Sequence, residues 1–233
     1  MTDFVVIVPA ALRGRRGSLL RRSVRRISLI RHTLDSAMTS RADRVVLAAD
    51  VGDVKDEARG CEFVLIESEC RHGTDRVAAA AERLGLEDHT IVVGLQAFEP
   101  RHNGENIDWL ASQHDVAASE RVSTLVSSSP AGPEREDVRA IVERSGVVSG
   151  FDREAGGVRH LGCYAYRVDV LRYLASLQQG PEAKRAGLEQ LDWMPRVVIY
   201  AVRAKRDAPP VKSSDEYRKF CRRYTRERSE KQY

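Results

Sequence analysis

Phe4-Val5-Val6-Ile7-Val8 is an unbroken apolar run that stops at Pro9-Ala10 and opens into a loop rich in arginine. Five such residues without alternation offer no polar face to water, so the run reads as a strand covered on both sides, at the centre of a parallel sheet. It is far too short to cross a bilayer. The residues that follow keep the rhythm such a strand needs. Apolar positions at 27, 30, 34 and 38 mark one face of a helix over Ile27–Met38. Arg44–Ala48 reads as a strand ending at Asp50, Glu62–Ile66 as a third strand, Thr74–Leu84 as an Ala-rich helix and Thr90–Leu95 as a fourth strand. Strand alternating with helix predicts an α/β fold with a doubly wound, mostly parallel sheet. Ligands of such sheets bind beyond the carboxyl ends of the strands.

After Pro100 the rhythm changes. A helix is expected over Asn106–His114 and a strand over Val122–Val126, and then Ser127-Ser128-Ser129-Pro130-Ala131-Gly132-Pro133 reads as loop. Val138–Val142 and Val147–Phe151 flank Glu143-Arg144-Ser145-Gly146, a predicted hairpin, so the expectation is one domain over 1–233 with a β insertion around 134–160. Gly162–Tyr166 returns as a strand, Val168–Leu177 as a helix, Arg196–Val202 as the last strand and Ser213–Glu227 as a capped, charged helix. With 233 residues and 42% apolar content, the core needs no disulfide or metal. Cys61, Cys70, Cys163 and Cys221 have no C-x-x-C spacing and are expected as buried thiols. Asp3 and the lack of a basic leader argue against a signal peptide, so a cytoplasmic protein without a membrane partner is expected. Net charge is +4, and cations crowd between Arg13 and Arg31 and again from Arg218 to Lys231, which suggests an anionic partner near each end, with nucleic acid, a nucleoside triphosphate and a solvated surface all open. Few aromatic residues interleave with those cations, which weighs against nucleic acid.

The chemistry collects at predicted strand ends. Ala10-Ala11-Leu12-Arg13-Gly14-Arg15-Arg16-Gly17-Ser18 follows the first strand. Its glycines let backbone approach a ligand and its guanidinium forks match phosphate oxygens, so a polyphosphate suits it; a solvated basic loop is the plain alternative. It carries neither the P-loop nor the dinucleotide glycine pattern. In Arg71-His72-Gly73-Thr74-Asp75-Arg76, Thr74 is placed to cap the next helix, whose free N–H groups would meet an anion or a base carbonyl. Gln96-Ala97-Phe98-Glu99-Pro100 closes the fourth strand at the same edge. His160-Leu161-Gly162-Cys163-Tyr164-Ala165-Tyr166-Arg167 gathers polar and aromatic groups on one strand.

In order along the chain these segments resemble the CMP-Kdo synthetase family, cytidylyltransferases that activate the sugar acid Kdo with CTP. Leu47-Ala48-Ala49-Asp50 is similar to its V-A-T-D, His72-Gly73-Thr74-Asp75-Arg76 to S-G-T-[DE]-R, and Gln96-Ala97-Phe98-Glu99-Pro100 to Q-G-D-E-P. His160–Arg167 is similar to H-L-G-I-Y-G-Y-R, and Leu188-Glu189-Gln190-Leu191 equals L-E-Q-L. The resemblance implies CTP as one substrate, a small acidic acceptor as the other and a homodimer. Arg16, with Ala10, Ala11, Arg13 and Arg15, falls where the triphosphate is gripped. Gly73, Thr74, Arg76 and Gln96 fall on the nucleoside side, and Arg139, His160, Tyr164, Glu189 and Gln190 where the acid lies. Such an enzyme lets an acceptor oxygen attack the α-phosphorus of CTP in line and expel pyrophosphate, chiefly by positioning and charge neutralisation.

The departures narrow what the resemblance implies. The family holds Mg²⁺ with the aspartate of Q-G-D-E-P and another in a C-terminal V-D-T-P-E-D; those positions here are Phe98 and Lys212. No metal-binding residue is therefore assigned, Mg²⁺ would arrive bound to CTP, and Lys212 joins Arg16 as a catalytic candidate that supplies charge. The same departures fit a second reading, a nucleotide-binding pseudoenzyme serving as partner or regulatory subunit. From Phe151-Asp152-Arg153 the chain passes almost directly to His160, so most of the family's sugar-covering arm is missing. That shortening fits a compact acceptor, such as the phosphonates activated by phosphonoformate cytidylyltransferases.

Overall fold

The computed structural model describes residues 3–14, 16–114, 121–130, 138–153 and 156–230. Its strands are β1 (Phe4–Ala10), β2 (Ser23–Val24), β3 (Ile27–Ser28), β4 (Arg44–Ala49), β5 (Glu62–Leu65), β6 (Ile91–Leu95), β7 (Arg121–Pro130), β8 (Arg139–Val142), β9 (Val148–Asp152), β10 (Val158–Arg167) and β11 (Val198–Arg203). The helices are α1 (Gly17–Leu20), α2 (Leu29–Ala37), α3 (Gly73–Arg83), α4 (Gly104–Gln113), α5 (Val168–Ser176), α6 (Pro181–Ala186), α7 (Gln190–Trp193) and α8 (Ser214–Glu230), with a 3-10 segment over Gly52–Ala58. None of the described helices is long and apolar enough to cross a membrane.

β1 is buried along its whole length because it feeds two cores at once. Phe4, Val6 and Val8 point into a core with Leu29, Ile30 and Leu34 of α2 and Ile107 and Leu110 of α4, while Val5 and Ile7 meet Val77 and Ala80 of α3 and Leu171 of α5. Both faces of the strand are thus apolar, which is why the sequence run does not alternate. The sheet order is β11-β7-β10-β6-β1-β4-β5. β4, β1 and β6 run parallel, β5 runs parallel to β4, and β10 lies antiparallel between β6 and β7. The chain moves out from β1 to β4 and β5, then returns to β6 on the other side of β1. The carboxyl ends of β1, β4 and β6 therefore bound the crevice where doubly wound sheets take their ligands.

Tertiary pairing overrides the sequence reading in several places. Ser127–Pro130 extends β7 instead of forming a loop, because β10 begins at Val158 and pairs Val158 with Pro130; Ala131–Pro133 lie outside the described residues. The proline is the last residue of β7. Ile27 belongs to β3, and α2 starts at Leu29 with the Ser28 hydroxyl accepting the Arg31 N–H at 3.1 Å. β8 and β9 form the expected hairpin, which joins the sheet through β8 and β10. Of the four cysteines only Cys163 is buried; Cys61, Cys70 and Cys221 are half-exposed, so the expectation of four buried thiols is corrected. The 3-10 segment, α6 and α7 gave no sequence signal strong enough to place them.

Candidate active site

Asp50, at the carboxyl end of β4, organises this edge of the sheet. Its carboxylate accepts the Leu12 N–H at 2.7 Å and the Arg13 N–H at 3.3 Å, fixing the start of the arginine loop. Its Oδ2 also stands 3.8 Å from the Arg76 guanidinium, and both side chains are nearly buried. The loop after β1 and the first turn of α3 are therefore tied to one carboxylate. Asp50 closes the resembling segment Leu47-Ala48-Ala49-Asp50, and its position at a strand's carboxyl end is the only trace of this task in the sequence. Gly17 is needed for a different reason than ligand approach, since a β-carbon there would overlap the backbone carbonyl of Leu12. Gly14 has open space around it. Arg15 lies outside the described residues.

Beside this loop lies a cleft of about 920 Å³ lined by Ala11, Gly14, Arg16, Ser18, Leu19, Arg22, Phe98 and Lys212–Ser214. Ala10, at the end of β1, is buried and Arg13 is exposed; neither is among the described residues that line the cleft. Arg22 is steadied by a 3.2 Å bond to the Ser214 hydroxyl and by the Tyr217 ring 5.2 Å away. Lys212 reaches the cleft from the stretch before α8, where the Val211 N–H donates to the Phe98 carbonyl at 2.8 Å. Its Nζ stands 3.7 Å from Oε1 of the fully buried Glu99.

Mg²⁺ requires oxygen ligands, carboxylates above all. The described residues of the cleft lining offer three cations, Arg16, Arg22 and Lys212, beside hydroxyls, and no carboxylate is among them. Of the carboxylates bordering it, Asp50 holds the loop amides and Glu99 faces Lys212. Among the described residues no group of three or more His, Cys, Asp or Glu is arranged to hold a metal. These residues do not fit a protein-held divalent ion.

The remaining candidates form a second cluster that does not line this cleft. The Gln96 amide packs against Gly73, where an added β-carbon would lie 2.7 Å from its Nε2. Thr74 is inside α3 rather than its cap; His72 precedes the helix and its N–H donates to Asp75 at 3.3 Å, as the Arg71 N–H does at 2.9 Å. The Thr74 hydroxyl instead donates to Glu189 Oε1 at 3.0 Å, joining the nucleoside and acceptor sets. Burial pushes the Glu189 carboxyl up to about 8, against the pull of Thr74, so it is mostly protonated at neutral pH.

Gln190 donates to the Tyr164 hydroxyl, and Tyr164 lies beside His160 with ring centres 4.9 Å apart. The Thr124 hydroxyl gives its proton to the Cys163 carbonyl at 2.9 Å, so it accepts from His160 Nε2 at 2.9 Å, while Nδ1 faces the Gly162 N–H at 3.4 Å. This arrangement fixes a neutral imidazole, and burial, reinforced by the Lys212 and His102 charges, pushes its pKa down to about 3. Arg139 stands at the base of the hairpin, opposite Asp152 on β9 and Arg159 on β10.

The family model of cytidylyltransferases matches residues 23–194, about three quarters of the chain. This chain belongs to the cytidylyltransferase family. Its activity class is CTP-dependent nucleotidyl transfer, which favours an enzyme over the pseudoenzyme reading. The arginine loop and Lys212 both lie outside the matched residues. The cytidylyltransferase is 33% identical to 3-deoxy-manno-octulosonate cytidylyltransferase of Alkalilimnicola ehrlichii over 82% of this chain and 83% of that one. It is 30% identical to the protein of the same name from Neisseria gonorrhoeae over 90% and 92%. Among solved structures, CMP:2-keto-3-deoxy-manno-octonic acid synthetase complexed with CTP superposes with a TM-score of 0.84 at 22% identity, covering 97% of this chain and all of the other. HddC from Yersinia pseudotuberculosis complexed with GMP-PN gives 0.71 at 12% identity, covering 96% and all of the other. These two likenesses establish the nucleotidyltransferase-like fold.

Proposed function

We propose that this cytidylyltransferase transfers CMP from CTP to a small acid in the cytoplasm, with Arg16 and Lys212 facing the phosphates. The observation that supports this most is the cation-lined cleft beside a loop that Asp50 ties to α3. Arg13 and Arg15 would assist Arg16, with Ala10 and Ala11 contributing backbone. Gly73, Thr74 and Gln96 would seat the nucleoside, and Arg76 would act by holding Asp50. Arg139, Tyr164, Glu189 and Gln190 would face the acid, with His160 as a neutral wall behind Tyr164. A protonated Glu189 can donate a hydrogen bond to an anionic acceptor, which a carboxylate cannot. An acceptor oxygen attacks the α-phosphorus as the bond to the β-phosphate oxygen breaks, and pyrophosphate leaves with that electron pair. A hydroxyl acceptor releases its proton to solvent; an anionic oxygen has none to lose.

The relatives' names make a sugar acid of the 3-deoxy-manno-octulosonate type the first acceptor to test. The five-residue link between β9 and β10 favours, as a second reading, a compact phosphonate. Pyrophosphate release measured with CTP and a panel of sugar acids and phosphonates decides between them, with UTP and ATP as controls. The expected result is CTP-selective release with one acceptor class. No release across the panel would overturn the reading. Analytical ultracentrifugation tests the expected homodimer.

A further inference from the structure

We propose that the protein grips the triphosphate with side-chain cations alone, and that Glu99 is the positioning residue holding the Lys212 ammonium at the cleft wall. The inference rests on the reading that the cleft receives a nucleoside triphosphate. A protein that seats a divalent ion beside phosphates usually brings one or two carboxylates to it. Here the lining brings Arg16, Arg22, Lys212 and the hydroxyls of Ser18, Ser213 and Ser214. Every ionisable group among those residues is cationic, so they attract a polyanion and repel a metal ion.

Lys212 is fixed at both ends. Its N–H and that of Ser213 donate to Glu216 Oε2 at 2.6 and 2.8 Å, and the preceding Val211 N–H is held by Phe98. At the other end Nζ stands 3.7 Å from Glu99, with 14% of the Lys212 side chain and none of Glu99 exposed. That separation is an ion-pair distance beyond hydrogen-bond range, so Glu99 fixes the ammonium without consuming its N–H donors. A phosphate in the cleft can reach Lys212 but not Glu99.

The burial of Glu99 is itself built into the chain. Gly162 adopts φ +59°, and a β-carbon there would collide with the Glu99 carboxylate. His102 stands 3.7 Å from the other carboxylate oxygen and donates Nε2–H to the Leu161 carbonyl at 2.9 Å. Burial, with the Lys212 charge adding to it, keeps His102 and His160 neutral at ordinary pH. Lys212 thus faces Glu99 as a cation, held where it meets both the buried carboxylate and the cleft.

Calorimetric titration of the full chain with CTP and with inorganic tripolyphosphate, each in excess EDTA and in Mg²⁺, tests this. Wild-type affinity for both should change less than about threefold between the two conditions. Lys212→Met should weaken tripolyphosphate binding in EDTA at least tenfold. Glu99→Gln should weaken it severalfold although it removes a negative charge, and in both variants the salt dependence of tripolyphosphate binding should flatten, as it would not for a folding defect. Tighter binding by Glu99→Gln, or wild-type binding lost in EDTA, would overturn the proposal. If the variants do not fold, the wild-type comparison alone decides. Tripolyphosphate binding in EDTA without pyrophosphate release from any acid would sink the transfer reading and leave this one standing. Transfer that needs Mg²⁺ to bind CTP would do the reverse.

Discussion

Gly17 and Gly162 are positions where the absence of a side chain decides how the site is built. A β-carbon on Gly17 would drive the loop off Leu12 and loosen the amides that Asp50 holds. Gly17→Ala is expected to raise the Kd for CTP about tenfold, or ~1.4 kcal/mol, and to lower the unfolding temperature, since backbone must shift to admit the methyl group. Calorimetry beside thermal melts checks both halves. Glu189 carries a different signature. Its folded pKa of about 8 lies above its ordinary value of 4.5, so between those pH values the folded chain keeps a proton that the unfolded chain has released. Stability should therefore fall as pH rises from about 4.5 to 8, and Glu189→Gln, which stays neutral, should flatten that slope. Melting temperature against pH reads it; parallel curves for the two proteins would count against the protonated carboxyl.

At the scale of single elements, the turn between β2 and β3 is the least comfortable. Arg25 and Arg26 have φ of 51° and 66°, left-handed values that a tight hairpin turn demands and that Asn-Gly adopts at lower cost. Arg25→Asn with Arg26→Gly should stabilise by about 1 kcal/mol, a rise of roughly 2–4 °C in melting temperature. The start of α8 shows the opposite case, a local rule obeyed. Ser213 and Glu216 form a reciprocal cap, with the Glu216 N–H on the Ser213 hydroxyl at 3.2 Å and the Ser213 N–H on Glu216 at 2.8 Å. That S-x-x-E spacing is visible in the sequence, and so the helix was legible there. The extension of β7 through Ser127–Pro130 was not legible, because serines and a proline read as loop until β10 supplies ladder partners from a region nearly thirty residues away.

For the molecule as a whole, acid should be more damaging than mild base. His102 and His160 are fully buried, with folded pKa values pushed down to about 4 and about 3 from 6.5. As pH drops below 6.5 the unfolded chain takes up protons at both sites before the folded chain does, so stability is lost with falling pH. Denaturant unfolding between pH 7 and 4 should show uptake approaching two protons from this pair, and Lys212→Met should lessen the loss by removing the cation that both imidazoles feel.

The sequence by itself determined the doubly wound core and the family. Period and β-branching report burial directly, so β1, β4, β6, α3 and α5 could be read from local pattern, and the His160–Arg167 and L-E-Q-L segments carried the resemblance. Only the tertiary structure decided which polar groups work together. Asp50 meets Arg76 and the loop, Thr74 meets Glu189, and Lys212 meets Glu99 across 113 positions of chain. Such pairings depend on sheet order and on where each strand ends. No local pattern encodes a contact between residues whose only common property is a shared edge.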